Sequence, residues 1–430
     1  MKKNINIAII GFGNIGSYFY KNLNKNKINI ITKTDKIPVI KYISAKNFKK
    51  KRNIKIPKSK WVKNPLDVCR FKDVEIIVEL IGGAEGMSKK VVFTALKNKK
   101  HVITANKALI SRHGDALALL AEKNKVNLEY EASVAGGVPI IRSIKEGLIA
   151  NKISKVYGIL NGTTNYILSS MEKTKKSFGE VLDNAKKLGF AESNPISDLN
   201  GEDSASKLRI LSSIAFGKTL SKNKILTEGI LNINISDIFY AKKLGYKIKL
   251  LSISEIRSSK LIERVHPCLI IKNSLLANID GVLNAIVVEG VPVGKSVLQG
   301  EGAGPGPTSS ALISDLCSVL RGNIKYPFGL SSKLRKKISH FDIIKHSCSS
   351  YMRIEVRDQP GVLRSITKLF AINKISIKNL IQNPDKKNKK ASIIIITHES
   401  YEKNYIKLFK NLSNNKFILR KPTFIRIEKV

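Results

Sequence analysis

A chain of 430 residues is too long for one ordinary core and implies two to three domains, and its 43% hydrophobic content suits a globular protein. Lysine and arginine number 76 against 33 acidic residues, a formal net charge of +43. The lysines are spread along the whole chain beside abundant asparagine and isoleucine, residues that share A/T-rich codons, so compositional drift explains the excess better than a nucleic-acid partner. The charge is still expected to attract small anions such as phosphorylated cofactors. No apolar run approaches the ~20 residues that span a bilayer, so no membrane association is expected. The four cysteines, Cys69, Cys268, Cys317 and Cys348, are scattered without metal-ligand spacing. No signal-peptide core precedes the first strand-like segment, and a reduced, cytoplasmic setting is expected.

Residues 5–10 form a short apolar run, and Gly11-Phe12-Gly13-Asn14-Ile15-Gly16 follows at once. This is G-x-G-x-x-G between a predicted strand and a predicted helix, the context that gives the pattern meaning. Gly11 permits a tight turn, Gly13 lets backbone approach a pyrophosphate, and Gly16 lets the helix pack on the strand. The helix start offers N–H groups to the phosphates. The helix is predicted to run from Asn14 into residues 28–31, with a turn over 32–36 and a second strand over 39–44. An NAD-selective site places an acid at the end of that strand. Here the chain continues Ala45-Lys46-Asn47-Phe48-Lys49-Lys50-Lys51-Arg52. Lys46 with Lys49 or Arg52 suits a 2′-phosphate, which points to NADP, with NAD as the alternative. A third strand over 74–81 and a helix over 88–98 lead to His101-Val102-Ile103-Thr104-Ala105-Asn106-Lys107. This repeated strand–helix spacing argues for a parallel sheet with ligands at the strands' C-terminal ends. Lys107 sits just past such an end, where it can meet substrate or cofactor, or simply be solvated.

The segment Leu128-Glu129-Tyr130-Glu131-Ala132-Ser133-Val134-Ala135-Gly136-Gly137-Val138-Pro139 breaks from a strand into small residues. Its exposed carbonyls could hold a hard cation or a ligand, or it could be a plain turn between domains. Asn161-Gly162-Thr163-Thr164-Asn165-Tyr166 opens a helix, either as a carboxylate-binding start or as ordinary capping. Gly189 is expected to stop a helix. Asp203 then precedes a helix with apolar Leu208, Leu211, Ile214 and Ala215. Asp203 and Lys207 are four apart and share one helix face. Such a pair can hold a polar substrate while the lysine delivers the proton that hydride reduction of a carbonyl requires. The plainer alternative is a surface ion pair. Residues 300–308 read as a glycine-rich loop opening a helix over 309–320, a second cofactor contact, stiffened by Pro305 and Pro307. Residues 331–350 read as a polar linker. Beyond it, strand, helix, two strands, helix and strand over 351–427 give a β-α-β-β-α-β order, with Asp358-Gln359-Pro360-Gly361 as its first turn.

These blocks, in order, resemble the homoserine dehydrogenases, and the resemblance extends over essentially the whole chain. Its most specific part runs from Gly189-Phe190-Ala191-Glu192 through Asp198-Leu199-Asn200-Gly201-Glu202-Asp203-Ser204-Ala205-Ser206-Lys207. The resemblance implies NAD(P)H-dependent interconversion of L-aspartate 4-semialdehyde and L-homoserine in threonine and methionine biosynthesis. It implies Lys207 as proton donor, Asp203 holding the hydroxyl, Glu192 binding the substrate's amino group, and Asp198 as a further substrate contact. Lys107 would lie between nicotinamide and substrate, with Gly302 near the cofactor. Backbone oxygens of Glu131, Val134, Gly136 and Val138 would bind a structural sodium ion.

The C-terminal module resembles an ACT domain, whose turn, here Asp358 and Gly361, often lies at an amino-acid effector site; threonine is the family expectation. The expected fold is α/β. A Rossmann NAD(P)-binding domain over 1–135 is completed by about 300–330, and an α+β substrate-binding and dimerisation domain spans 136–299. A linker over 331–349 and an ACT regulatory domain over 350–430 follow, in a homodimer or homotetramer. An aspartate-semialdehyde dehydrogenase would need a thiol nucleophile in a suitable loop, and no cysteine has one. A nucleic-acid-binding regulator would show a helix-turn-helix or an aromatic-basic patch, and Trp61 is the only tryptophan.

Overall fold

A computed structural model describes residues 2–47 and 52–430. The chain divides into two compact units: Met1–Leu160, Asp203–Lys224 and Asn284–Ile338 form the first, and Asn161–Glu202, Ile225–Leu283 and Ser339–Val430 the second.

The first unit is built on a five-stranded parallel sheet. Its strands lie in the order Lys36–Ser44, Lys3–Ile10, Ile76–Glu79, His101–Thr104 and Leu128–Glu129. Continuous apolar runs such as Ile7 to Ile10 and Ile76 to Val78 are fully buried, as expected for parallel strands covered on both faces. Phe12, Phe19, Leu23 and Ile30 share one core with Leu312, Leu316, Val319 and Leu320 of the helix Pro305–Leu320. A segment nearly 300 residues downstream therefore completes the layer against this sheet.

Several boundaries differ from the sequence expectation. The first helix is two, Asn14–Lys25 and Lys27–Thr34. Asn26 separates them, its amide donating to the Asn22 carbonyl and side-chain oxygens, a local bond that competes with helix continuation. The second helix ends at Asp35, which has left-handed backbone at φ 55°, so the next strand starts at Lys36 rather than residue 39. The third strand is short, Ile76–Glu79, because the Glu79 carboxylate accepts from the Ile81 and Gly82 amides and turns the chain. The downstream helix begins at Pro305, four residues early, since proline needs no amide partner in a first turn. Within residues 331–350, read as a polar linker, Arg335 is buried. It meets Asp115 at 2.7 Å and Ser213 Oγ at 2.6 Å, and stacks 3.9 Å from the Phe328 ring centre.

The second unit contains the β-α-β-β-α-β module. Strand Ser347–Arg357 pairs antiparallel with Lys390–Thr397 on one side and Thr423–Ile427 on the other, and Ile377–Asp385 pairs with Lys390–Thr397. Helices Val362–Ile372 and Glu402–Ser413 cover the sheet through Ile366, Phe370, Leu408 and Leu412. The last strand also pairs in parallel with Lys260–Ile271, one arm of a long hairpin with Tyr246–Arg257, so the module's sheet continues into residues 246–271. Ser258 and Ser259, both at positive φ, make the hairpin turn whose twist matches its strands. Arg353 grips the fully buried Asp237 at 2.8 Å and 3.2 Å, and Tyr351 donates to the same carboxylate at 3.0 Å. Among the described residues no helix is long and apolar enough to cross a membrane.

Because Asp237 would be left as an unpaired buried carboxylate, Arg353→Ala should destabilise this unit by about 3–5 kcal/mol. Tyr351→Phe, which removes one neutral donor, should cost about 1 kcal/mol. Denaturant midpoints check both, and equal losses would contradict the assignment.

Candidate active site

The glycine loop meets three separate steric demands. Gly11 has φ +99°, and a Cβ there would lie 2.5 Å from the Leu80 backbone. A Cβ on Gly16 would lie 2.4 Å from the Gly11 carbonyl oxygen, so this glycine sets the close packing of helix on strand. Nothing lies within 4 Å of a Cβ position on Gly13, whose backbone faces open space. Gly13 caps the helix without a side-chain hydrogen bond, which leaves first-turn amides for an anion. Phe12 is buried and Ile15 packs against the core, so the loop's exposed surface belongs to Gly13 and Asn14.

A cavity of about 340 Å³ opens at this helix start, lined by Gly13, Asn14, Ser17, Lys21, Arg52 and Pro305, among others. Arg52 is fixed there: its Nε donates to the Phe12 carbonyl at 2.9 Å, and its guanidinium lies 5.5 Å from the Phe12 ring centre and 5.2 Å from that of Trp61. Lys46 is exposed and does not line this cavity, and Lys49 lies outside the described residues. Arg52 is therefore better placed than Lys46. Lys21 was not singled out; its signal was helical spacing, since Asn14, Ser17 and Lys21 share one face. Gly304, at φ +109°, caps the helix Pro305–Leu320, again without a side-chain bond. Gly302 is tightly confined, as a Cβ would sit 2.1 Å from the Asn284 amide.

The chemistry gathers on one carboxylate. Lys107 is the first residue of helix Lys107–Lys123, just past strand His101–Thr104. Asn106 caps that helix through Leu109 N, while its amide donates to the Gly83 carbonyl and Ser88 Oγ. Thr104 donates to Glu79 at 2.7 Å, tying two strand ends together. A cation at a helix start runs against the helix dipole, and here an anion answers it: Lys107 Nζ is 2.8 Å from Asp203 Oδ1. Lys207 Nζ is 2.7 Å from Asp203 Oδ2 and donates to the Leu160 carbonyl at 2.7 Å. Asp203 and Lys207 are buried on helix Glu202–Ala215, so the surface-pair alternative fails. Burial alone would raise the Asp203 pKa, but the Lys207 and Lys107 ammoniums outweigh it and hold the carboxyl well below its ordinary range. Glu79 and Asn106 escaped the sequence reading because their partners come from other strands and loops.

Glu192 and Asp198 belong to the second unit, the two lysines and Asp203 to the first. Glu192 is exposed on the loop beyond Gly189, which ends the preceding helix at φ +75°. Asn161 caps helix Gly162–Thr174 through Thr164 N and donates to Asp198 Oδ1 at 2.8 Å. Thr163 donates to the Phe190 carbonyl, and Asn165 to the Ile279 and Leu283 carbonyls. The polar helix start thus organises the loop that carries both acids.

At residues 131–138 the Glu131 carboxylate accepts from the Ile141 and Arg142 amides, each at 2.8 Å. Burial raises its pKa to about 7 despite those amides. With the side chain so engaged, the donors this turn can offer a cation are carbonyl oxygens. Those of Glu131 and Val138 each accept one amide, from Val134 and Ile140, and a carbonyl keeps a second lone pair. Hard oxygen donors of this kind fit an alkali or alkaline-earth ion. In the C-terminal module Gly361, at φ +84°, opens helix Val362–Ile372, and exposed Asp358 accepts from Gln382 at 3.4 Å.

A glycine-loop nucleotide fold and a carboxylate clamped by two lysines beside its strand ends define a nicotinamide-dependent oxidoreductase. Family models match in three places: homoserine dehydrogenase, NAD binding domain, over residues 11–131; homoserine dehydrogenase over 139–317; and ACT domain over 350–404. The homoserine dehydrogenase of Helicobacter pylori is 38% identical over 100% of both chains, and that of Neisseria gonorrhoeae 37% over 99% of both. The crystal structure of a homoserine dehydrogenase from Thiobacillus denitrificans superposes with a TM-score of 0.90 at 34% identity, covering 99% of this chain and 98% of that one. The chain belongs to the homoserine dehydrogenase family.

Asp203→Asn should cost about 3 kcal/mol, because two ammoniums lose their shared anion. The folded carboxyl titrates below its ordinary value of 3.8. The wild type's advantage is therefore complete above about pH 4 and shrinks as the pH falls below it. Denaturation of both proteins across that range checks the sign, and a gap that widened with acid would contradict it.

Proposed function

We propose that this NAD(P)-dependent oxidoreductase interconverts L-homoserine and L-aspartate 4-semialdehyde with Lys207 as the acid–base group. The Lys107–Asp203–Lys207 arrangement, with Asp203 and Lys207 buried, carries that reading. When bound, the nicotinamide supplies or accepts the hydride at the carbonyl carbon. Lys207 Nζ delivers a proton to the developing alkoxide and takes it back in homoserine oxidation. Asp203 aims that ammonium, and Lys107, on the same carboxylate, reaches toward substrate and nicotinamide. Glu192 and Asp198 are assigned to the substrate's polar end, with the Glu192 carboxylate on its amino group.

NADP is the preferred cofactor in this reading. Arg52 and Lys21 line the cavity at the glycine loop, and no acid follows the second strand to hold a ribose diol. Gly302 and the helix start at Pro305 supply the second cofactor contact. The turn at residues 131–138 would hold a structural sodium ion through backbone oxygens of Glu131, Val134, Gly136 and Val138. The ACT module, through Asp358 and Gly361, is assigned a regulatory amino acid, with threonine as the leading candidate. The enzyme is read as a cytoplasmic homodimer or homotetramer.

Lys207→Ala should lower kcat for homoserine oxidation by about 100-fold or more with the circular dichroism spectrum unchanged. Turnover near the wild-type value would remove Lys207 from the chemistry. Arg52→Ala should raise the NADP KM about tenfold, the size of one charge-assisted contact, and leave that of NAD nearly unchanged. Equal effects on both cofactors would contradict the 2′-phosphate role.

A further inference from the structure

On one face of the sheet in the second unit, strand Lys260–Ile271 presents Arg264, His266 and Cys268 at alternate positions. The neighbouring strand Thr423–Ile427 sets Arg426 opposite Cys268, and Glu428 follows it. All five side chains are buried. Ligand atoms of His266, Cys268 and Glu428 lie within 4.8 Å of one another. His266 Nδ1 lies 3.0 Å from the Pro267 carbonyl oxygen and 3.2 Å from Cys268 Sγ; only an N–H can satisfy that carbonyl, so the proton is assigned to Nδ1. Nε2 then presents a lone pair to Glu428 Oε1 at 3.6 Å, with no hydrogen-bond partner. Glu428 already accepts from Arg264, so the buried atom left without a partner is His266 Nε2, a lone pair that calls for an electron-pair acceptor. His346, 3% exposed, is a second buried imidazole whose ring nitrogens have no partner, and it feels the charges of Glu428 and Glu402.

We propose that His266 Nε2, the Cys268 thiolate and the Glu428 carboxylate bind a borderline-soft divalent cation of the zinc class as a structural site. An imidazole–thiolate–carboxylate set selects zinc over magnesium or calcium. On binding, the Cys268 S–H bond breaks, a sulfur–metal bond forms, and the proton leaves to solvent. Thiolate and carboxylate balance the cation's two charges, while Glu255, Glu402 and Glu228 pair with Arg264 and Arg426. Arg264 also orients Glu428 through contacts of 3.2 Å and 3.1 Å, and the Pro267 carbonyl orients His266, the supports a metal site requires. Water or His346 takes the fourth position. Sequence spacing could not reveal this group, because parallel strand pairing alone brings Glu428 to His266 and Cys268.

The full-length chain, loaded with zinc sulfate and desalted, should retain about one zinc per chain, the closed stoichiometry of a structural site, by plasma mass spectrometry. Cys268→Ser should lose it. Cobalt(II) in place of zinc should give a sulfur-to-metal charge-transfer band, absent in Cys268→Ser and kept when Cys69, Cys317 and Cys348 are all changed to serine. Should Cys268→Ser fail to fold, the band in the chain lacking Cys69, Cys317 and Cys348 decides. No retained metal, retention without that band, or unchanged retention in Cys268→Ser would overturn the proposal.

Discussion

One carboxylate between two ammoniums is the constraint on which the first unit's polar cluster rests. Burying Asp203 alone would be costly, and burying Lys207 alone equally so; together, with Lys107 on the second oxygen, the charges compensate at contact distance. Placing them there needs a strand end, a capped helix and a second helix to converge. Asn106 and Glu79 fix the first helix start, and the Leu160 carbonyl takes a further Lys207 proton. The result is an ammonium with fixed direction in a largely water-excluded place, what a proton donor to a developing alkoxide requires.

The cofactor side follows from a different economy, that of space. Gly11 and Gly16 remove side chains so that strand, loop and helix approach within van der Waals limits, and Gly13 leaves backbone amides open. Cations then supply the charge. Arg52 is held against Phe12 and Trp61, so its guanidinium is oriented before an anion arrives. The chain carries a formal net charge of +43, a sign that favours anionic ligands in general.

What could be read from the sequence was local. The glycine loop, the four-residue spacing of Asp203 and Lys207, the cap at Asn161 and the stop at Gly189 are encoded within one or two turns of chain. The βαββαβ order at the C-terminus was legible for the same reason, since each strand and helix carries its own period. What escaped depends on distant partners. Arg52 outranks Lys46 only because Trp61 and Phe12 trap it. The helix break at Asn26 rests on its side-chain bonds to Asn22, which weak helix formers on either side cannot overrule. Arg335 looked like linker until Asp115, Ser213 and Phe328 closed around it.

The central claim is that Lys107 and Lys207 work through one shared anion rather than as independent cations. A double-mutant cycle on kcat for homoserine oxidation, with Lys107→Ala, Lys207→Ala and the pair together, tests it most directly. If the lysines act as a unit on Asp203, the double variant will be little slower than the worse single one. Losses that multiply would mean two separate contributions and would contradict the account.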